Sequence, residues 1–317
     1  MKQQIDILLT THNGARTLPL MLDALAEVQA PQRAWRILVV DNASTDETPE
    51  ILRKWAGRLP LTILHCPTPG KAAAQAFGAT FLEGDLIILT DDDILPDTGW
   101  LRALERAADE NPTASIFGGG IEPRPIEPVT GWYEAARDYY YDLFGRISLP
   151  YGVVSGADTI FGPSMMMRQA EAMKALSRSD ALGPTFTLKG GKRVFPLGDE
   201  SEMIARLERA GAVSVFTPDA RVGHMVRAFQ TELPFMLQRA QNHGRGVAIR
   251  TLGETHPVLH RAAMAISSAV RVPWLYVRSL GKSRGVPERA TFNNLYGLNW
   301  HLGRLKGALF GPFSKRH

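Results

Sequence analysis

The chain of 317 residues has one cysteine, Cys66, so no internal disulfide can form and nothing in its covalent chemistry calls for an oxidising compartment. Long apolar runs are equally scarce. The run Ile7 to Leu9 falls far short of the roughly 7–15 residues of a signal-peptide core. Ala262 to Val277 is interrupted by Arg271 and Pro273, whereas a membrane-spanning helix needs about 20 mostly apolar residues. The expectation is a cytoplasmic protein with no membrane-crossing helix. No Gly-x-Gly-x-x-Gly follows the first strand and no Gly-x-x-x-x-Gly-Lys-Ser/Thr occurs, which removes the phosphate-binding turns of dinucleotide-dependent hydride transfer and of simple ATPases. Internal repeats and low-complexity tracts are absent. With 44% hydrophobic and 21% charged residues, the composition is that of a globular protein and excludes disorder, collagen and coiled coil.

Acidic residues nearly vanish from the last third. Residues 221–317 hold 15 Lys+Arg against 3 Asp+Glu, a net charge of +12, while residues 1–220 hold 21 against 29, a net of −8. The overall +4 hides this division, and the basic third favours anionic partners if it is more than a solvated helical face.

What the chain does contain is an alternation of short β-branched runs with helical patterns, the signature of βαβ units. Ile5–Thr10, Trp35–Asp41, Leu61–His65, Asp85–Thr90 and Ser115–Gly119 read as strands, and Leu18–Ala26, Thr45–Trp55, Lys71–Leu82 and Thr98–Ala108 as crossover helices. Ser44 and Glu47 have capping-box spacing, with Pro49 inside the first turn. Trp132, Tyr133, Tyr139, Tyr140, Tyr141 and Phe144 follow at roughly helical spacing, either to pack on the sheet or to form a substrate platform. Thr159–Met167 and Val213–Phe216 read as further strands, Ser201–Ala210 as a helix, and Glu232–Thr251, Pro257–Leu280 and Pro287–Phe310 as three more helices. The expected domains are 1–230, with halves at about 1–120 and 121–230, and a basic helical region at 231–317.

In an open parallel sheet, ligands bind outside the carboxyl ends of the strands. Strand one ends in Thr10, Thr11, His12 and Asn13, strand two in Asp41, Asn42 and Ala43, and strand four in Asp91, Asp92 and Asp93. Three adjacent carboxylates repel one another unless something positive joins them. Asp91 and Asp93, two residues apart, can point the same way and offer the hard oxygen ligands that Mg2+ or Mn2+ prefers. The alternative is an exposed acidic turn ahead of a helix capped by Asp97.

The segments Ile7–Leu18, Ile37–Leu52, Gly70–Gly78 (GKAAAQAFG), Leu86–Leu101 (LIILTDDDILPDTGWL), Gly162–Gln169 (GPSMMMRQ), Gly198–Gly211 (GDESEMIARLERAG) and Thr217–His224 (TPDARVGH) occur in an order that resembles family 2 glycosyltransferases of the GT-A fold. The resemblance covers about residues 5–250. It implies an α/β fold with a Rossmann-like, mostly parallel central sheet flanked by helices, followed by a C-terminal helical extension. It further implies nucleotide binding by Thr10, Asp41 and Asn42, joined at the same edge by His12, Asn13, Lys71, Asp91 and Asp92. Asp91 and Asp93 match the family's metal motif, and His224 a histidine that completes the metal shell.

The family's catalytic Glu-Asp pair is inverted here to Asp199-Glu200, and alignment places Glu200 as the general base. Acceptor or phosphate contacts are expected from Gly162, Ser164 (asparagine in many relatives), Arg239 and Arg245. The implied activity is inverting transfer of a sugar from a nucleoside-diphosphate sugar to a hydroxyl acceptor, in cell-surface polysaccharide or glycolipid synthesis. A lipid-linked saccharide is a candidate acceptor and nucleic acid is not an expected partner. A nucleotidyltransferase and a non-catalytic nucleotide-sugar binding or scaffold protein are the alternatives. In the C-terminal third, apolar and aromatic residues between cations suit either helices lying on an anionic inner membrane leaflet or helices packed on the catalytic domain.

Overall fold

The computed structural model describes residues 3–138, 141–156, 159–176, 186–187, 193–194, 199–254, 258–280 and 289–310. In chain order the elements are β1 (Gln4–Thr11), α1 (Leu18–Ala26), β2 (Ala34–Asp41), α2 (Thr48–Trp55), β3 (Leu61–His65), α3 (Lys71–Ala79), β4 (Leu86–Asp91), β5 (Ile94–Pro96), α4 (Trp100–Glu110) and β6 (Ile116–Pro125). They continue with α5 (Gly131–Ala136), α6 (Tyr141–Phe144), β7 (Gly152–Val154), β8 (Met165–Arg168), α7 (Gln169–Leu176), β9 (Phe186–Thr187) and β10 (Arg193–Val194). Last come α8 (Asp199–Arg209), β11 (Ser214–Val226), α9 (Leu233–Glu254), α10 (Val258–Leu280) and α11 (Arg289–Phe310).

The chain divides into two compact units. The first comprises Met1–Arg124, Ile147–Leu182 and Glu200–Met225, and the second Pro125–Arg146, Gly183–Asp199 and Val226–His317. Segment 125–146 thus groups with the C-terminal helices.

In the first unit the sheet order is β3-β2-β1-β4-β8-β6-β11-β5, with β7 also paired to β11. The pairs β1–β2, β1–β4 and β2–β3 are parallel, which agrees with the expected βαβ reading. The strands beyond them depart from it: β8 is antiparallel to β4 and β6, and β5 and β7 are antiparallel to β11. Parallel entry requires a crossover helix. Between β6 and β8 the helices α5 and α6 belong to the second unit, and β8 enters reversed.

Strands β1, β2 and β4 are largely apolar on both faces, as strands covered by helices on two sides must be, while the edge strand β3 is partly exposed. One face buries Leu8, Leu38, Ile87 and Leu89 against Met165, Met167, Ala74, Ala172 and Ile204.

Three local expectations change. The capping box does not form, because Ser44 Oγ accepts the Asn13 N–H at 3.0 Å and α2 begins only at Thr48. Asp97 does not cap α4; its carboxylate pairs with Arg124 and Arg221. Thr159–Met167 is strand only from Met165, preceded by a 3-10 turn at Gly162–Ser164.

The described part of the aromatic segment meets Val226 at the end of β11 as well as the C-terminal helices. Tyr133 and Phe144 are buried in the second unit with Met236, Ala240, Phe292 and Tyr296 of α9 and α11, and Trp132 packs at the edge of that cluster. Tyr139, Tyr140 and the side chain of Tyr141 lie outside the described residues, as do Pro257 and Pro287. Helices α9 and α11 approach closely: a Cβ on Gly244 or Gly303 would overlap the backbone of Trp300 or Gln241.

At the amino end of β1, Asp6 is fully buried and its carboxylate is enclosed by donors. Arg36 reaches it at 2.8 and 3.0 Å, the Glu83 and Gly84 N–H groups at 2.7 and 2.9 Å, and Gln4 Nε2 at 2.6 Å. Burial works to raise this carboxyl, but Arg36 and the backbone donors outweigh it and hold it below its ordinary 3.8. Breaking a buried pair of this kind costs about 3–5 kcal/mol, the loss expected for Asp6→Ala in urea unfolding. Because the folded value is lowered, Asp6 stabilises the native state fully above the unfolded carboxylate range. That contribution is lost as pH falls through the folded value. Unfolding midpoints measured from neutral pH down to pH 3 and below should fall more steeply for the wild type than for Asp6→Ala.

Candidate active site

Parallel register brings the polar strand ends together. Thr11 lies beside Asp41, Thr10 beside Asp91, and Asp41 beside His65. Two non-glycine residues there have left-handed backbone, Asn13 (φ 52°) and Ala43 (φ 54°), each just past the end of its strand. Asparagine tolerates this region and alanine rarely adopts it, so the β2–α2 turn is strained. The turns brace each other: Asn13 Oδ1 accepts Thr45 N–H at 2.8 Å, Gly14 N–H donates to Thr48 Oγ1 at 2.9 Å, and His12 Nδ1 is 2.7 Å from the Asn42 carbonyl.

Asp41 is buried; Oδ1 accepts the Ser44 N–H at 3.1 Å, and Oδ2 lies 3.6 Å from His65 Nδ1. Asn42 is committed to structure. Its amide donates to the Cys66 and Thr68 carbonyls at 3.2 and 2.6 Å, and its Oδ1 accepts the Gly70 N–H at 2.7 Å. These bonds hold the loop that leads into α3 and its first residue, Lys71.

Lys71 is the centre of the cluster. Its Nζ lies 2.6 Å from Asp91 Oδ1 and 3.4 Å from Glu200 Oε1, joining the end of β4 to the start of α8. Burial opposes the ammonium charge, yet Asp91 and Glu200, with Asp93 behind them, hold the lysine pKa well above its ordinary value. Glu200 is also gripped by the Gly162 N–H, 2.7 Å from Oε2. A Cβ at Gly162 would overlap that carboxylate, so glycine is what allows the backbone to approach. Asp199 opens the same helix, and its side chain lies outside the described residues.

The acidic triplet splits its tasks. Asp92 turns back to accept the Thr11 hydroxyl at 2.5 Å; burial pushes its carboxyl up to about 6, with Thr11 pulling it down and Asp93 and Asp91 adding to the rise. Asp93 Oδ2 lies 3.5 Å from His224 Nε2. Among the described residues no three His, Cys, Asp or Glu side chains are already gathered as a metal cluster. The donor set nevertheless suits a hard divalent cation: two carboxylates and an imidazole, with Asp91 already drawn to a positive group.

Ser164 is fully buried, accepting Trp100 Nε1–H at 3.0 Å and donating to the Ala220 carbonyl at 3.2 Å, so its hydroxyl braces the core. Arg239 and Arg245 lie on α9, in the second unit, where burial lowers the Arg245 guanidinium. In the sequence Thr11 and Ala43 both read as strand-end residues without a role: Thr11 holds Asp92, and the left-handed backbone of Ala43 has no compositional signal.

Asn42→Ala should leave the Thr68 and Cys66 carbonyls and the Gly70 N–H without their partner, destabilising the protein by about 1–3 kcal/mol. Urea unfolding checks the loss, and hydrogen exchange should place the faster amides at residues 66–71.

The family sequence profile of glycosyl transferase family 2 matches residues 6–172. The pre-mycofactocin glycosyltransferase of Mycobacterium tuberculosis is 25% identical over 285 residues, 89% of this chain and 54% of that protein. The poly(ribitol-phosphate) beta-N-acetylglucosaminyltransferase TarS of Staphylococcus aureus is 28% identical over 94 residues, 28% of this chain and 16% of that protein. This chain therefore spans from about a sixth to about half the length of these relatives. The crystal structure of TarS residues 1–349 in complex with UDP-GlcNAc aligns at TM-score 0.52 with 14% identity, over 94% of this chain and 90% of that one. The mannosyltransferase PcManGT of Pyrobaculum calidifontis, in complex with GDP-Man and Mn2+, aligns at 0.53 with 20% identity, over 98% and 74%. These likenesses give the GT-A fold. With the family profile matched across more than half of its residues, the chain belongs to glycosyl transferase family 2.

Proposed function

We propose that this chain is a metal-dependent, inverting glycosyltransferase that moves a sugar from a nucleoside diphosphate to a hydroxyl acceptor in one displacement. The observation that carries the reading is the meeting of Lys71, Asp91 and Glu200 at the carboxyl edge of the parallel strands, where ligands of open α/β sheets bind. Two further observations support it: TarS, a member of the same fold, was crystallised with a nucleotide sugar, and PcManGT with a nucleotide sugar and Mn2+.

Each group in the cleft then has a task. Asp41, buried at the end of β2, accepts hydrogen bonds from the nucleoside, and Thr10 and the His12–Asn13 turn shape its seat. Asp91, Asp93 and His224 would hold Mn2+ or Mg2+, which neutralises the diphosphate as it leaves. Lys71, kept protonated by its carboxylate neighbours, offers a second positive group to the same diphosphate. Glu200 takes the proton of the acceptor hydroxyl as its oxygen attacks the anomeric carbon. The Gly162 N–H on Oε2 fixes that carboxylate's rotamer, with Oε1 turned toward Lys71. A single base serves a single displacement, so no covalent sugar–enzyme intermediate forms. The acceptor is a lipid-linked saccharide of cell-surface polymer or glycolipid synthesis, met at the inner face of the membrane.

Glu200→Gln should retain the donor dissociation constant and lower kcat on the order of 10²–10⁴-fold, the usual worth of a general base. Asp199→Asn should lower it far less; the reverse pattern would move the base to Asp199, and unchanged turnover in both would favour a binding protein. Asp93→Ala should abolish manganese-dependent donor binding, followed by calorimetry, while the melting temperature holds or rises because carboxylate repulsion is relieved.

A further inference from the structure

Helix α10, in the second unit, is amphipathic in an unusual sense: much of its apolar surface faces out. Leu259, Ile266, Val270, Trp274 and Val277 are spaced by seven, four, four and three residues, which places them on one face of a helix. They are between 56% and 79% exposed, large apolar side chains in a continuous stripe. The opposite face is accounted for, since Met264 joins a buried cluster with Ala248 and Ala308, and Leu275 and Ser268 are buried. Among the described residues no helix is long and apolar enough to cross a membrane, so the stripe does not belong to a span.

The flank of the stripe is cationic and carries no compensating acid. Arg271 and Arg278, seven residues apart and both exposed, share one side of α10, and Arg278 stacks over the Trp274 ring at 4.5 Å. Below them, Arg304 of α11 donates to the Ser267 and Ser268 hydroxyls at 3.1 and 3.4 Å, and His301 Nδ1 is 3.5 Å from Ser268 Oγ. Burial, and after it the field of Arg271, lowers both Arg304 and His301. Among the described residues none of Arg271, Arg278 and Arg304 meets a carboxylate, in a region whose sequence holds only 3 acidic residues.

We propose that this face of α10 seats the protein on an anionic lipid bilayer. The stripe enters the headgroup–acyl boundary, and Arg271 and Arg278, with Arg304 behind them, meet the lipid phosphates. An apolar face bordered by arginines, with tryptophan at the boundary, is the arrangement an interfacial helix uses, and charge complementarity selects an anionic surface over a protein partner of ordinary composition. The inference does not rest on the sugar-transfer reading and deepens only its delivery of a lipid-linked acceptor.

The test is co-sedimentation of the full chain, without donor or acceptor, with vesicles of phosphatidylglycerol and phosphatidylcholine mixed or of phosphatidylcholine alone. The expected result is binding to the mixed vesicles at low salt, weakened at high salt, and little binding to phosphatidylcholine. Arg271→Ala and Arg278→Ala should each weaken it about fivefold, the factor for one juxtamembrane cation. Val270→Asp and Trp274→Asp, each on the exposed stripe, should abolish it with an unchanged circular dichroism spectrum. No binding at low salt, or equal binding to phosphatidylcholine alone, would overturn the proposal. So would a dimer of this chain that Trp274→Asp dissolves while vesicles are ignored. Failure here would leave the role of Glu200 standing, because that is read from donor binding and turnover and not from vesicle binding.

Discussion

One ammonium group between two carboxylates organises the edge of the sheet on which the rest depends. Without Lys71, Asp91 and Glu200 would face each other with only like charge behind them in Asp93, and they would separate or take up protons. Lys71 stands where it does because α3 starts at that residue, and α3 starts there because Asn42 ties the preceding loop to the end of β2. Glu200 is there because the Gly162 backbone, free of a side chain, reaches it. Five separate stretches of sequence thus converge on one charge balance.

The two ends of β1 illustrate how the same chemistry serves two purposes. At its amino end Asp6 is buried and accepts from Arg36 and the Glu83 and Gly84 N–H groups, and the arrangement stabilises the fold. At the carboxyl edge the acidic groups meet partners close to solvent: Asp92 meets Thr11, Asp93 meets His224, and Asp91 meets a lysine whose side chain is nearly half exposed. A half-exposed cation beside carboxylates is open to a ligand, and among the described residues the left-handed non-glycine backbone, at Asn13 and Ala43, sits at this end.

Much of this was legible in the sequence, and the rest was not for definable reasons. The βαβ rhythm and the polar strand ends follow from period and position, so Asp41, Asp91 and Asp93 could be picked out from the sequence, whereas Glu200 comes only from the family resemblance. Ser164 misled because a motif position says nothing of burial; its hydroxyl is consumed by Trp100 and Ala220. Ser44 has the spacing of a cap, but the αL turn at Asn13 competes for its oxygen. The aromatic spacing around Trp132 and Phe144 announced a buried helix face without naming its partner, which lies about 90 or more residues away on α9 and α11. In the same way the apolar and basic alternation of the C-terminal third was plain, while which stripe α10 leaves outside depends on how α11 packs.

The measurement that bears most directly on the central claim is release of nucleoside diphosphate from a panel of UDP-, GDP- and dTDP-sugars, with and without Mn2+ and with the metal chelated. Release from one donor, dependent on the metal and stimulated by a hydroxyl acceptor, is the predicted result. Release from no donor, or release indifferent to chelation, would contradict the account of the Lys71, Asp91 and Glu200 cluster as the place where sugar is transferred.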